Sequence, residues 1–196
     1  MVLRYESAHS RNKTENVKRT KKMAKIKLTN VRLSFPSLFR RAVFGGEETK
    51  FEATFLLDKE AHADKIAEIE AAITAVSKEK HKGKTPPADK LCLKDGDTIE
   101  YDGYAGTMSI KASSKQRPMV IGTDRAPLAE DDGKPYAGCY VNAIIELWGQ
   151  DNTYGKRVNA NLLAVQFAKD GDPFGDGVAA SVDDFDDVPY EADDFM

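Results

Sequence analysis

The sequence predicts a mainly β fold, in which short antiparallel strands form a small barrel or sandwich and one helix interrupts them. Three observations support this class. Apolar and polar residues alternate in most segments between residues 23 and 169, as they do in half-buried strands. Between Asp58 and Lys80, by contrast, apolar residues recur at helical spacing. The strands are short and turn residues separate them, which suits an antiparallel barrel better than a parallel α/β sheet.

The first two strands are predicted in "KIKLTNVRLSF" and "KFEATFLLD". In the second of these, alternation places Phe51, Ala53, Phe55 and Leu57 on one face. A helix follows, with Asp58 as its N-cap and Gly83 beyond its end. The apolar positions that define its buried side are Ile66, Ile69, Ile73 and Val76.

Further strands are predicted after the loop "GKTPPADK". Asp-Gly turns separate those in "KDGDTIEYDGYAGTMSIKASSKQRPMVIG". The segments "GCYVNAIIELWG" and "GKRVNANLLAVQFAKDG" are the clearest strands, and the turn-rich "QDNTYG" between them predicts a hairpin. The order β-β-α-β-β-β-β favours an OB-type antiparallel barrel with one inserted helix.

Composition excludes several classes of protein. No apolar run approaches the roughly 18 residues of a membrane span, and the basic N-terminus lacks the apolar segment of a secretory signal. Two cysteines, Cys92 and Cys139, indicate a reducing compartment such as the cytoplasm. Three scattered histidines supply little material for a metal site. We expect no cofactor.

The charges divide the chain into three parts. Residues 1–22 carry seven bases and two acids and are predicted to form a disordered basic arm. Residues 23–169 carry a net charge of +2 and are predicted to form the folded domain. Residues 170–196 carry ten acids and no base and are predicted to form a disordered acidic tail. A polyanion would therefore bind to local patches of the domain rather than to a global field.

Two stretches interleave cations with aromatic residues, in the way that single-stranded nucleic acid requires. The first runs from Lys25 to Arg41 and contains Arg32, with no acid in it. In the second, around "TMSIKASSK", alternation places a polar and cationic stripe opposite an apolar face. Positive side chains neutralise phosphates, and flat rings stack on unpaired bases. A solvated surface is the alternative explanation. The candidate contacts are Arg32, Tyr101, Tyr104, Lys111, Lys115, Arg117, Tyr140, Trp148, Lys156 and Arg157.

Signatures of an enzyme are weak. The sequence contains no P-loop, GxSxG or CxxC motif, and its cysteines are interpreted as small buried hydrophobes. The acids of "DGDTIEYDG" resemble a magnesium site, but Asp-Gly pairs are usually turn residues. We therefore predict no catalytic residues, with a metal-dependent nuclease as a remaining alternative.

The tail combines carboxylates with apolar residues, which a purely solvating tail does not need. Such a chain is similar to a nucleic-acid strand, with spaced negative charges and occasional rings. It is predicted to occupy the cationic site when DNA is absent and to bind partner proteins when DNA displaces it. The residues predicted to act in this way are Asp183, Asp184, Phe185, Asp186, Asp187, Pro189, Tyr190, Asp193, Asp194 and Phe195.

These features resemble two groups of proteins. The "DDVPY" motif is similar to the tails of bacterial single-stranded DNA-binding proteins, although here the chain continues to "DDFM". The domain resembles a family of bacteriophage single-stranded DNA-binding proteins. The strings that carry this likeness are "KIKLTNVRLSFPSLF", "YDGYAGTMSIKASSKQRPMVIG", "GCYVNA" and "ANLLAVQFAKDG".

The resemblance implies an OB-fold that coats single-stranded DNA in the cytoplasm of an infected bacterium during phage replication or recombination. It also implies that Ser109–Arg117 and Tyr140–Trp148 form the walls of the groove. Replication or recombination proteins are the expected partners of the tail. The sequence leaves open whether the chain forms a homodimer. The competing hypothesis is a β-rich protein-interaction or virion-structural domain whose acidic tail serves only solubility.

Overall fold

The computed structural model describes residues 25–175. The basic arm 1–22 and the ten tail residues predicted to bind partners lie outside the described residues. No helix among the described residues is long and apolar enough to cross a membrane.

The described chain forms nine strands and one long helix. Five of the strands form the barrel: β1 (Lys25–Ser37), β4 (Phe51–Asp58), β6 (Thr107–Ser114), β8 (Tyr140–Asn152) and β9 (Gly155–Lys169). The short strands are β2 (Val43–Phe44), β3 (Glu47–Glu48), β5 (Leu93–Asp95) and β7 (Met119–Ile121), and the helix is α1 (Ala63–Lys80). Short 3-10 turns lie at Ala88–Lys90, Gly96–Thr98 and Glu130–Asp132.

The barrel is closed by a parallel pairing between strands that are far apart in sequence. β1 pairs antiparallel with β4 and β8, β4 with β6, and β8 with β9. The ring closes where β6 runs parallel to β9, with Ala112 opposite Ala160 and Ser113 opposite Asn161. β5 and β7 extend the sheet beside β6 and β9 respectively. The predicted OB-type barrel with one helix is confirmed.

β1 pairs with both β4 and β8 because two irregularities bend it. Its register with β8 shifts between Leu28 and Val31, where Asn30 has a positive φ of 54°. Its register with β4 shifts between Ser34 and Ser37, where Phe35 has a φ of 46°. Each irregularity increases the local twist and turns the strand to follow the barrel wall.

Inward-facing residues of all five barrel strands fill the core. Leu28, Phe55, Ile110, Ile145 and Leu162 each have a relative exposure of 1% or less. The predicted alternation places these residues on the inward faces, although Thr54 and Leu56 on the opposite face of β4 are buried as well.

The helix packs its apolar side against the barrel and begins later than predicted. Ile69 and Ile73 are buried in the core, and the helix contacts β8 and β9. His62 occupies the N-cap position, whereas Asp58 accepts hydrogen bonds from the backbone N–H groups of Glu60 and Ala61, at 2.9 and 2.7 Å. The prediction of Asp58 as the N-cap is wrong, because its carboxylate satisfies the turn that precedes the helix.

The predicted hairpin is present and is longer than expected. β8 and β9 continue through "QDN" to a tight turn at Thr153 and Tyr154. A smaller hairpin, β2–β3, turns at Gly45 and Gly46 and was not predicted. Both glycines have positive φ, as such a turn requires.

Candidate nucleic-acid interface

A groove with a volume of about 560 Å³ crosses the outer face of β4 and β6 and reaches β9. Strand pairing assembles its floor. Thr54 of β4 lies opposite Lys111 of β6, and Glu52 lies opposite Ser113. The neighbouring residues along each strand point into the core, so alternation leaves polar side chains in the groove. The polar residues that β4, β6 and β9 contribute are Glu52, Thr54, Ser109, Lys111, Ser113, Arg157 and Asn159.

The groove is positively charged overall. Four cations and two acids line it, the acids being Glu52 and Asp89. The Nζ atom of Lys111 lies 2.8 Å from Oε1 of Glu52, which fixes the lysine on the floor. The cations are Lys90, Lys94, Lys111 and Arg157. This balance suits an anionic ligand, even though the domain as a whole carries little net charge.

Three aromatic rings form one wall of the groove. The ring centroids of Phe35 and Tyr101 lie 5.1 Å apart, and those of Tyr101 and Tyr104 lie 5.6 Å apart, both in edge-to-face geometry. Phe35 and Tyr101 are 54% and 60% exposed, whereas Tyr104 is only 3% exposed. The hydroxyl of Tyr104 donates to Ser34 Oγ at 3.3 Å. Tyr104 therefore supports the wall, and Phe35 and Tyr101 present its surface.

Phe35 reaches this wall through an unusual backbone conformation. Its φ of 46° is uncommon for a bulky residue, and such conformations concentrate at functional sites. The irregularity in β1 turns its side chain out of the barrel and toward Tyr101. An exposed aromatic held in this way is a surface on which a planar ligand can stack.

The loop that carries Tyr101 and Tyr104 is braced by ion pairs. Lys59 Nζ lies 2.6 Å from Asp95 Oδ1 and 2.5 Å from Asp97 Oδ2. Asp97 also accepts a hydrogen bond from the backbone N–H of Gly106 at 2.6 Å. The hydrogen bonds from Lys59 lower the pKa of both carboxyl groups, and those carboxylates raise the pKa of Lys59. These acids of the "DGDT" motif therefore hold the loop in place.

Two exposed hairpin tips present further apolar surface. Phe44, on the β2–β3 hairpin, is 83% exposed, and Tyr154, in the β8–β9 turn, is 81% exposed. In the order of the barrel strands, these hairpins connect the first strand to the second and the fourth to the fifth. The face of the second and third strands, together with these two loops, is where OB-folds bind oligonucleotides and oligosaccharides.

Comparison with known proteins decides the family. The family model described as Enterobacter phage Enc34, ssDNA-binding protein, matches residues 24–196. The chain belongs to this family. Putative protein p50 of Acyrthosiphon pisum secondary endosymbiont phage 1 is 47% identical over 174 residues, which cover 84% of this chain and 94% of that protein.

Two solved structures of the Enc34 protein are similar to this chain. The structure described as the single-stranded DNA-binding protein from bacteriophage Enc34 in complex with ssDNA has 35% sequence identity and a TM-score of 0.71. The match covers 77% of this chain and 89% of the Enc34 chain. A C-terminal truncation of the Enc34 protein has 35% identity and a TM-score of 0.70, with 76% and 88% coverage.

The groove of this Enc34-family chain contains part of the predicted site. Tyr101, Lys111 and Arg157 line it together with Tyr104. The prediction that Tyr104 offers a stacking surface is wrong, because the residue is only 3% exposed. Its ring packs edge-on against Tyr101, and its hydroxyl donates to Ser34 Oγ. Nothing in the structure tests whether the other three contact DNA, and they stay predictions.

The remaining predicted residues lie outside the groove lining. Lys115 and Arg117 follow the end of β6, and the Arg117 guanidinium lies 5.3 Å from the ring centroid of Phe39. Trp148 points outward from β8 opposite Asn159, one strand beyond the groove wall. Lys156 lies 3.9 Å from Asp151 in the β8–β9 hairpin. Their roles as DNA contacts remain predictions.

Arg32 and Tyr140 form a separate cluster. The Arg32 guanidinium lies 5.7 Å from the centroid of the Tyr140 ring, and Lys169 Nζ lies 4.3 Å from it. The guanidinium also donates to the backbone carbonyls of Gly138 and Asp172. Arg32 is therefore engaged by the protein itself, and its role as a phosphate contact stays a prediction.

Sequence reasoning missed several groove residues. Phe35 is not among the candidate contacts, although its ring is exposed, whereas Phe39 packs against the core. Lys90 and Lys94 enter the lining from β5 and the turn before it. For Phe35, the adjacent proline was the available signal, because it marks an irregular strand. No local pattern distinguishes Lys90 or Lys94 from other surface lysines.

The two thiols are unreactive groups within the fold. Burial raises the pKa of Cys92 to about 12 and that of Cys139 to about 11. Because the thiolate is the nucleophilic form, neither cysteine is activated at neutral pH. Cys92 therefore contributes packing to the groove wall that it lines.

Proposed function

We propose that this chain binds single-stranded DNA with little dependence on sequence, in the groove across β4 and β6. The observation that carries the proposal is the combination, in one groove, of four cations with the exposed rings of Phe35 and Tyr101. A polyanion with free planar bases is the ligand that needs both. The DNA complex of the Enc34 relative supports the same ligand.

Different parts of the groove bind the phosphates and the bases of a nucleotide. The cations attract the phosphates, so the strand's backbone lies over them while the bases point toward the aromatic wall. The half-buried side chains of Ser113 and Asn159 offer hydrogen bonds that several bases can use. Stacking tolerates any base because every base has a π-face, and it requires bases without a partner strand. The proposed outcome is preference for unpaired DNA of any sequence.

The protein acts in this proposal by coating DNA, without a catalytic step, during phage replication or recombination. The acidic tail regulates access to the groove and recruits replication or recombination proteins through its apolar residues. Two features support this role. The tail carries acids without bases, and it is attached to a domain whose binding groove is cationic.

Removing the Tyr101 ring should weaken binding of single-stranded DNA. Stacking of one base is worth about 1–3 kcal/mol, so Tyr101→Ala is expected to lose about 5- to 150-fold in affinity. Tyr101→Phe keeps the ring and should bind within about 2-fold of the parent. Fluorescence anisotropy with a labelled oligonucleotide measures all three proteins. Equal losses for both variants would assign the effect to the hydroxyl and argue against stacking.

The proposal as a whole is tested by competition. A labelled single strand bound to the protein is challenged with unlabelled single strand, duplex and RNA. The unlabelled single strand is expected to displace the probe at lower concentration than the duplex. The rival function, a protein-interaction domain, predicts no binding of either.

A further inference from the structure

The first residues of the acidic tail are fixed against the barrel. Sequence analysis assigned residues 170–196 to the tail, but the structure describes residues 170–175 in contact with the domain. Lys134 Nζ lies 3.0 Å from Asp170 Oδ2, and the Tyr136 hydroxyl donates to Asp170 Oδ1 at 3.0 Å. The backbone N–H of Gly171 donates to the Tyr136 hydroxyl at 3.2 Å. Ordered structure therefore continues beyond the last strand.

Arg32 holds the next part of this segment from β1. Its Nη2 donates to the carbonyl of Asp172 at 2.6 Å, and its Nε donates to the carbonyl of Gly138 at 3.2 Å. Its guanidinium carbon lies 4.2 Å from the centroid of the Phe174 ring. The backbone N–H of Phe174 donates to the carbonyl of Ala137 at 3.1 Å. One arginine thus binds both the backbone and the aromatic side chain of the segment.

Two glycines leave room for these contacts. A Cβ atom at Gly103 would lie 2.2 Å from Phe174 Cε1, and one at Gly138 would lie 2.1 Å from the carbonyl oxygen of Asp172. Both glycines also have positive φ, at 75° and 101°. The Phe174 ring is therefore seated directly on the backbone of the loop that carries Tyr101 and Tyr104.

We propose that Asp172–Phe174 is an anchor that fixes the root of the acidic tail beside the DNA groove, and that Arg32 and Phe174 are its positioning residues. The proposal rests on the proposed function, since it concerns access to the same groove. Gly103, which Phe174 contacts, is two residues from Tyr101 on the groove wall. The tail consequently starts at the mouth of the groove.

The anchor raises the local concentration of the tail at the groove. Twenty-one residues follow Gly175 and carry eight acids and no base. Because the tail is tethered near the groove, its binding there is intramolecular. The effective concentration of the tail at the groove falls when the attachment point moves away or the tether becomes longer. Releasing the anchor adds slack at the groove mouth, so DNA should compete more easily.

The test uses the full chain in two backgrounds. One has the natural tail, and the other carries Asp→Asn changes at its six paired aspartates. Anisotropy at about 50 mM salt, where charge screening is weak, measures the affinity for a labelled single strand. A few residues of added tether reduce the effective concentration only modestly, so Phe174→Ala is expected to tighten binding by about 1.5- to 2-fold with the natural tail. With the charge-reduced tail, which keeps only Asp176 and Glu191 as acids, the affinity should not change measurably. The neutralised aspartates are Asp183, Asp184, Asp186, Asp187, Asp193 and Asp194.

Arg32→Ala provides a second route to the same result, because it removes the partner of both Asp172 and Phe174. Thermal melting confirms that each variant is folded. Unchanged affinity of both variants with the natural tail would overturn the anchor, as would equal changes in the two backgrounds. A loss of affinity would instead place Arg32 or Phe174 in the DNA contact. Absence of single-strand binding in every protein, the parent included, would reject the proposed function itself.

Discussion

Lys111→Glu combined with Arg157→Glu should weaken single-strand binding at least about 100-fold. Both side chains line the groove, Lys111 on β6 and Arg157 on β9. Each change removes a charge-assisted contact, worth roughly 1.5–3 kcal/mol, and adds repulsion of a phosphate. The log–log salt dependence should also become shallower by about 0.7 for each phosphate contact that is lost.

A matched control separates local contacts from the overall field. Lys78→Glu combined with Lys84→Glu changes the net charge by the same amount at two exposed positions outside the groove lining. This control should bind within about 3-fold of the parent. Equal losses in both double variants would show that net charge, and not the groove, determines affinity.

Ending the chain at Gly175 should tighten single-strand binding at about 50 mM salt by roughly 10-fold. The truncation removes eight acids and changes the formal net charge from −3 to +5. An acidic segment that occupies the groove must be displaced before DNA binds, and its removal eliminates that cost. At about 0.5 M salt, screening should reduce the difference between the two chains to less than about 2-fold.

The structure determines where this truncation belongs. Ending the chain at Lys169 would also remove the partners of Arg32, Lys134 and Tyr136, whereas ending it at Gly175 leaves them in place. The buried apolar core lies entirely between Ile26 and Phe167 within the described residues. Melting temperature serves as the control for folding.

A peptide of residues 176–196 shows whether the tail competes with DNA for the groove or only repels DNA through its negative charge. Added in trans to the truncated chain, it should displace labelled DNA at low salt. A control peptide that keeps all eight acids, but in which Phe185, Tyr190 and Phe195 are replaced by Ser, should compete less well. No competition by the natural peptide, or unchanged affinity after truncation, would contradict the tail as a regulator of access.

The parts of the fold that sequence predicts are those that local patterns determine. The period of two in β6 assigned Ile110 to the core and Lys111 to the opposite face, which is where the structure has them. The β8–β9 hairpin follows from two alternating runs around a tight turn. The 3.6-residue period of the apolar positions predicts helix α1. It does not predict the N-cap, because an irregular turn precedes the helix.

The missed features depend on contacts between distant residues. The pairing of Ala112 with Ala160 closes the barrel, and no local signal announces it. The hydrogen bonds from Arg32 to the carbonyls of Gly138 and Asp172 could not be predicted, because these partners lie more than 100 residues away in sequence. Tyr104 is buried because the irregular strand β1 places Ser34 beneath its hydroxyl. In each case the type of residue indicated which contacts it can make. Which residues it does contact depends on segments that only the closed barrel brings together.

Competition between unpaired and paired DNA for the intact protein shows whether the protein prefers single strands. A labelled 30-nucleotide single strand, bound at about 0.1 M salt, is titrated with the same strand unlabelled and with its duplex. The single strand should compete at a concentration at least about 10-fold lower than the duplex, for mixed sequences as well as for homopolymers. A duplex that competes equally well or better, or a single strand that does not bind at all, would contradict it.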